Sequence, residues 1–350
     1  MEMLTNPYRG AAEEISVPAD TPFPSVAVAQ VQELLNRCPS AAATPLSSAP
    51  GFADKAGVAE VWIKDERGRM GLGSFKALGA AYVIARDAVI GGPGSIADRT
   101  YVTASAGNHG LSVAAGARIF GSNSVVYIAE TVPESFADRL RSEGAKVVRE
   151  GTQYEEGMAA AAKAAEDNGW ILLSDSSWPG YFERPHRLME GYLAMMAEVF
   201  EEMSEAPSHI FLQAGVGGLA GAAAAIARDE WGDGPRIIVV EPEAAPALIG
   251  SIAAGKSIVT EGPVSAMGRL DCKEPSLIAL KGLARDADQF VTITEEEADR
   301  GTRELAAHGF ATTPSGGAGL AALLAFGATP EMLRLAPQSR VLAILSEGPE

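Results

Sequence analysis

From residue 58 to residue 346 the chain returns again and again to one unit, a short apolar run followed by a segment of helical periodicity. VAEVWIKDE (58–66), YVTAS (101–105), SVVYIA (124–129), KVVRE (146–150), WILLSD (170–175), HIFLQA (209–214), RIIVVE (236–241), QFVTIT (289–294) and RVLAILS (340–346) read as strands. Helices are predicted from Phe75 to about Ile90, from His109, from Pro133, from Gln153, from about Arg184 to Met203 and from Gly217. Two more fall between the last two strands, and another near the start, where Val28, Val31, Leu34 and Leu35 share a face. Strands with so little polar alternation are buried on both sides, which requires parallel sheets covered by helices: an α/β fold. The turn-rich GGPGSIAD (91–98) marks a crossing between layers. The chain is expected to leave one layer near residue 98 and return near 186, giving a large domain of residues 1–97 plus 187–350 and a small inserted domain of 98–186.

Composition narrows the function classes. Aromatic residues are 6% of the 350, so the core is mostly aliphatic. A formal charge of −17 speaks against a nucleic-acid partner, which would need clustered Lys and Arg. Two cysteines, Cys38 and Cys272, exclude a disulfide framework. MEMLTNPYRG lacks a signal-peptide pattern, and the apolar run Leu219–Ala227 is too short for a bilayer, so a cytoplasmic location is expected and no membrane partner. His186 and His308 stand alone, with no metal-ligand spacing, and no metal site is expected.

Ligands of such folds sit beyond the carboxyl ends of strands, and three loops there carry chemistry. In GLGSFKALGAAY (71–82), Lys76 opens an apolar helix. Burial would lower its pKa, as amine–carbonyl chemistry needs, although an isolated lysine of this kind more often lies along the surface. In ASAGNHGLSVAAG (104–116), Ser105, Ala106, Gly107, Asn108 and His109 join a strand end to a helix start, an arrangement suited to a carboxylate. In QAGVGGLAGAAAAIA (213–227), Gly215, Val216, Gly217, Gly218 and Leu219 bring backbone amides to a helix N-terminus with little side chain in the way, which suits a phosphate. Gly215, Gly217 and Ala220 also fit a dinucleotide pattern, with Glu241 near the expected ribose partner, so this loop alone leaves a nicotinamide oxidoreductase open.

Together GSFKALGA, SAGNHG, AGVGGLAG and LSEG resemble the fold-type-II pyridoxal-phosphate enzymes in order and spacing across nearly the whole chain. This family includes threonine and serine dehydratases, tryptophan synthase β and diaminopropionate ammonia-lyase. TPL (44–46), VWIKDERGRMGLGSFKALG (61–79), SDSSWPGY (174–181), LMEGYLAM (188–195), IIVVEPE (237–243) and MGRLDCKEPS (267–276) are similar to the diaminopropionate ammonia-lyase subgroup in particular. The resemblance implies two domains with pyridoxal 5'-phosphate in the cleft between them, in a homodimer. It implies that Lys76 forms the Schiff base and Phe75 flanks it. Asn108 would bond the ring hydroxyl, residues Gly215 to Leu219 would cup the phosphate, and Ser346 would face the ring nitrogen. Asp175 matches an acidic family position near the substrate; a turn aspartate ahead of Ser176 and Ser177 is the plainer reading of the same residue.

The implied activity is β-elimination from a β-substituted L-amino acid, giving a 2-oxo acid and ammonia. Alternatives are a dehydratase of threonine, serine or another 3-hydroxy amino acid, a β-replacement synthase, or a cofactor-binding homologue without turnover. Ala106 departs from the subgroup, where an aspartate is common before G-N-H. It cannot move a proton, which leaves Lys76 as the base at Cα and favours one enantiomer. Cys272 is expected to be a packed thiol with no base nearby.

Overall fold

The strand–helix repeat closes into two separate sheets in the computed structural model, which describes residues 2–38, 40–152 and 154–349. Along the chain lie β1 (Met3–Thr5), α1 (Val28–Leu35), β2 (Leu46–Ser48), α2 (Pro50–Ala56), β3 (Glu60–Asp65) and α3 (Lys76–Gly91). Then come β4 (Thr100–Ala104), α4 (Asn108–Ile119), β5 (Asn123–Ile128), α5 (Glu134–Ser142), β6 (Lys146–Arg149), α6 (Tyr154–Asn168) and β7 (Ile171–Leu172). They are followed by α7 (Glu183–Glu202), β8 (His209–Gln213), α8 (Gly218–Trp231), β9 (Arg236–Pro242), α9 (Ala247–Ala254), α10 (Leu277–Asp286), β10 (Gln289–Ile293), α11 (Glu295–Ala307), α12 (Ala318–Phe326) and β11 (Arg340–Leu345). Gln153, where the sequence places a helix start, lies outside the described residues.

Among these residues the larger sheet has the order β1-β10-β9-β8-β11-β3-β2, and the smaller β6-β5-β4-β7. Only the short edge strands β1 and β2 run antiparallel to their neighbours. All other pairings are parallel. Every residue of β8 and β10 is buried, as is β9 beyond its first residue. Each large aliphatic side chain there contributes roughly 1.5–3 kcal/mol. The smaller sheet has smaller clusters, one around Val126 and Leu140 and another around Val102 and Ala161.

Two features fix the elements that carry the site. At the end of β3 and in the turn before α3, the buried Lys64, Glu66 and Arg69 form an ion network with Glu198 of α7. Lys64 Nζ and Arg69 Nη2 both lie 2.7 Å from Glu198 Oε2, and Arg69 Nη2 lies 2.7 Å from Glu66 Oε1. Removing one partner of such a network costs about 3–5 kcal/mol, because the other charge stays buried. Where the chain passes between sheets, Asp87 of α3 accepts hydrogen bonds from Tyr101 of β4 at 2.9 Å and from Arg184 of α7 at 2.6 Å. One carboxylate thereby ties the outgoing and the returning segments to the same helix.

Candidate active site

β8 ends at Gln213, whose amide nitrogen donates to Gly316 O and Ile344 O, both at 2.9 Å. Those bonds hold the loop that follows. Gly217 caps α8 with φ of 96°, in the left-handed region, and no side chain caps the helix. A Cβ at Gly217 would lie 2.9 Å from Ala279 Cβ, and one at Gly215 would lie 3.1 Å from both Arg269 O and Leu270 Cα. Only glycine fits both places. The first intrahelical bond here runs from Gly221 N to Gly217 O at 2.8 Å, so the amides of Gly218, Leu219 and Ala220 have no partner within the helix. The result is an anion cradle made of backbone.

The competing dinucleotide role for Glu241 is overturned. Its buried carboxylate accepts from Leu248 N at 2.7 Å and Ile249 N at 2.8 Å, capping α9. Burial pushes this carboxyl up from 4.5 to about 8, against those two bonds.

Lys76 begins α3. Its Nζ donates to Asp175 Oδ2, and it lies 5.3 Å from the centroid of the Phe75 ring. Asp175 therefore faces the lysine, and its side chain is not spent on capping the turn at Ser176. The expected fall in the Lys76 pKa is also corrected. Burial pulls it down, but the Asp175 carboxylate and neighbouring Tyr192 more than offset this, and the amine is held above its ordinary value. Asp175 is penalised by burial in turn, yet Lys76 and His109 hold it below the usual carboxylate range.

Tyr192 of α7, which sequence reading left without a role, packs edge-on against Phe75 with ring centroids 4.8 Å apart. Cys272 is closer to the chemistry than expected. Its pKa is pushed up to about 12, first by burial and then by Asp175, with Lys76 pulling the other way. It is a neutral thiol beside the pair.

The α4 wall is made of side chains. Ser105 Oγ accepts from Gly107 N at 3.3 Å, and Ser112 Oγ donates to Lys76 O at 2.8 Å, joining α4 to α3. His109 is buried with Nε2 2.8 Å from Leu173 O; burial lowers its pKa, and Asp175 opposes that. Ala106 packs against the apolar cluster of Leu111 and Val126. Asn108 Nδ2 donates to Glu347 Oε2, a residue that sequence reading passed over beside Ser346. Ser346 is buried, and its carbonyl accepts from Phe75 N at 3.1 Å, fixing the residue ahead of Lys76. Lys76 is thus beside Asp175, Phe75 beside Ser346, and the start of α8 near Asp175, since a Cβ at Gly218 would lie 3.9 Å from Asp175 O.

The family model described as pyridoxal-phosphate dependent enzyme matches residues 39–347. The diaminopropionate ammonia-lyase of Salmonella typhimurium is 31% identical over 296 residues, covering 77% of this chain and 73% of that protein. The L-threonine ammonia-lyase of Geobacter sulfurreducens is 31% identical over 255 residues, 73% of this chain and 59% of that protein. Among solved structures, the diaminopropionate ammonia lyase of Escherichia coli in complex with D-serine superposes with a TM-score of 0.88 at 26% identity, covering 99% of this chain and 93% of that one.

Proposed function

Since the chain belongs to the pyridoxal-phosphate dependent enzymes, we propose that it is an ammonia-lyase that eliminates the β-amino group of 2,3-diaminopropionate. With one water consumed, the products are pyruvate and two ammonia molecules. The observation that carries this reading is the Lys76–Asp175 pair. A largely buried carboxylate held ionised is stabilised by a cation beside it. When Lys76 is engaged with the cofactor, a β-ammonium is the substrate group that replaces it.

The cradle fits the cofactor's phosphate: its glycine positions exclude side chains, and its helix start has no side-chain cap. Bound pyridoxal phosphate supplies an aldehyde that condenses with primary amines and a conjugated ring that accepts the electron pair of a broken Cα–H bond. Residues Gly215 to Leu219 hold the phosphate, and Phe75 borders the ring. Asn108 would donate to the ring hydroxyl. Ser346 would face the ring nitrogen with a neutral hydroxyl, which could not keep it protonated as a carboxylate would. The Ser105–His109 loop takes the substrate carboxylate at the start of α4. Lys76 Nζ would hold the cofactor and, once freed, would be the base at the Cα proton. Asp175 keeps the β-nitrogen charged until it leaves. Residues 98–186 form the inserted domain and the remainder the large one, and the enzyme works in the cytoplasm as a homodimer. Among the described residues no helix is long and apolar enough to cross a membrane.

Ala106 favours a second reading, dehydration of a 3-hydroxy amino acid, because it lacks the family-type aspartate. Assaying L-2,3-diaminopropionate beside L-serine and L-threonine separates the two. The proposal expects the highest kcat/KM for the diamine, with two ammonia molecules per pyruvate. Preference for a hydroxy amino acid would replace it with the second reading.

A further inference from the structure

A carboxamide presents an acceptor on one side and two N–H donors on the other, so what it recognises depends on which way it is turned. For Asn108 the neighbour settles this. An ionised carboxylate only accepts, so Glu347 Oε2 requires the Nδ2 end; the reverse orientation would set two acceptors against each other.

Glu347 is itself held on every side. Its Oε1 accepts from Thr313 Oγ1, and Arg269 Nε lies 3.6 Å from its Oε2. Its carbonyl accepts from Thr312 Oγ1 at 2.6 Å. Its backbone forms an antiparallel bridge with Ser74, and the next residue, Gly348, donates from N to Gly73 O at 3.0 Å. The backbone at Glu347 is therefore fixed to the loop that leads into Lys76, and its carboxylate to Thr313 and Asn108. Asn108, Arg269, Thr313 and Glu347 border a cavity of about 540 Å³, a size suited to a small-molecule ligand.

We propose that Glu347 is a positioning residue that orients the Asn108 amide toward the cofactor ring. One Nδ2 hydrogen is committed to Glu347, and the second is left for the ring oxygen. This rests on the roles of Lys76 and Asn108 proposed above. A purely structural role, clamping α4 to the Thr312–Gly316 loop, makes different predictions.

The test loads wild type, E347A, E347Q, N108A and the N108A/E347A double variant with pyridoxal phosphate. It measures cofactor affinity by titration, and the position of the visible absorption band. Hydride trapping on wild type comes first, because absence of an adduct on Lys76 sinks the functional reading itself. With the adduct in place, E347A should weaken cofactor binding about tenfold and move the band. E347Q, whose Oε1 still accepts from Asn108, should recover most of both. The double variant should be no worse than N108A. If E347A does not fold, E347D takes its place, since it draws the acceptor back by one methylene and should act in the same direction. An unmoved band in the alanine or aspartate variant overturns the proposal, as does a double variant whose losses multiply.

Discussion

The two walls of the cleft are built from different materials. On the α8 wall the ligand-facing groups are backbone amides, and the loop offering them is fixed by Gln213 and by glycines that tolerate no Cβ. On the facing wall the groups are side chains, and they are already engaged: Lys76 with Asp175, Asn108 with Glu347, His109 with Leu173 O. The first wall is ready for an anion at no cost in rearrangement. The second must exchange internal partners for those of a ligand, so its strength depends on which charges are present.

Removing the amine breaks the comparison most severely. K76A should abolish the hydride-stable adduct and lower turnover by more than about 10³-fold; mass spectrometry locating an adduct elsewhere would reassign the site. Next comes G217A. Its φ of 96° and the 2.9 Å contact of its Cβ with Ala279 predict a loss of about 1–3 kcal/mol in stability and about 100-fold in cofactor affinity, read by thermal unfolding and titration. S105A, on the opposite wall, should cost less than about tenfold. Equal effects from G217A and S105A would erase the distinction between backbone-made and side-chain-made walls.

D175N sharpens the second half of the contrast. Asp175 raises the Lys76 pKa while burial lowers it, so in the variant burial is opposed by Tyr192 and Cys272 without Asp175. Cofactor-free D175N should then react with aldehyde and hydride at lower pH than wild type does. Its turnover of the diamine should fall about 10–100-fold, and that of serine less. A reactivity profile shifted to higher pH would contradict this electrostatic account.

E241Q should leave cofactor affinity and turnover unchanged, since Glu241 caps α9 behind the cradle. Its effect is on stability. The folded carboxyl sits at about 8 against an ordinary 4.5, so between those values the folded protein keeps a proton that the unfolded chain has lost. Wild-type stability from this site falls as pH rises through that window and levels off above it. Unfolding measured across the window should show that slope in wild type and a flatter profile in E241Q.

The central strands were legible because β8 to β11 are runs too apolar to be anything but doubly buried. β1 and β2 were not, since three-residue edge strands have no periodicity to read. α9 and α10 are not legible either, since they fall between IIVVEPE and QFVTIT in a stretch punctuated by loop-forming residues. The expected strand at 170–175 shrinks to two residues in β7; beyond Leu173, whose N still bonds Val102 O at 2.9 Å, the chain turns and delivers Asp175 to the cleft. The glycine loop was readable since backbone sites leave their mark in local sequence. Glu347 and Tyr192 lay inside segments marked as family-like, LSEG and LMEGYLAM. Glu347, however, meets Asn108 across 239 residues, and Tyr192 meets Phe75, ahead of another helix. No local pattern shows where such side chains point.

β11, residues 340–345, lies in the interior of the larger sheet, between β8 and β3. A nascent chain therefore cannot join those two strands until residue 345 has been synthesised. Up to that moment β3 and β8 each present an open, apolar edge. Ribosome-bound or prematurely terminated chains should engage chaperones or aggregate even though nearly all of the cleft's residues have already been made.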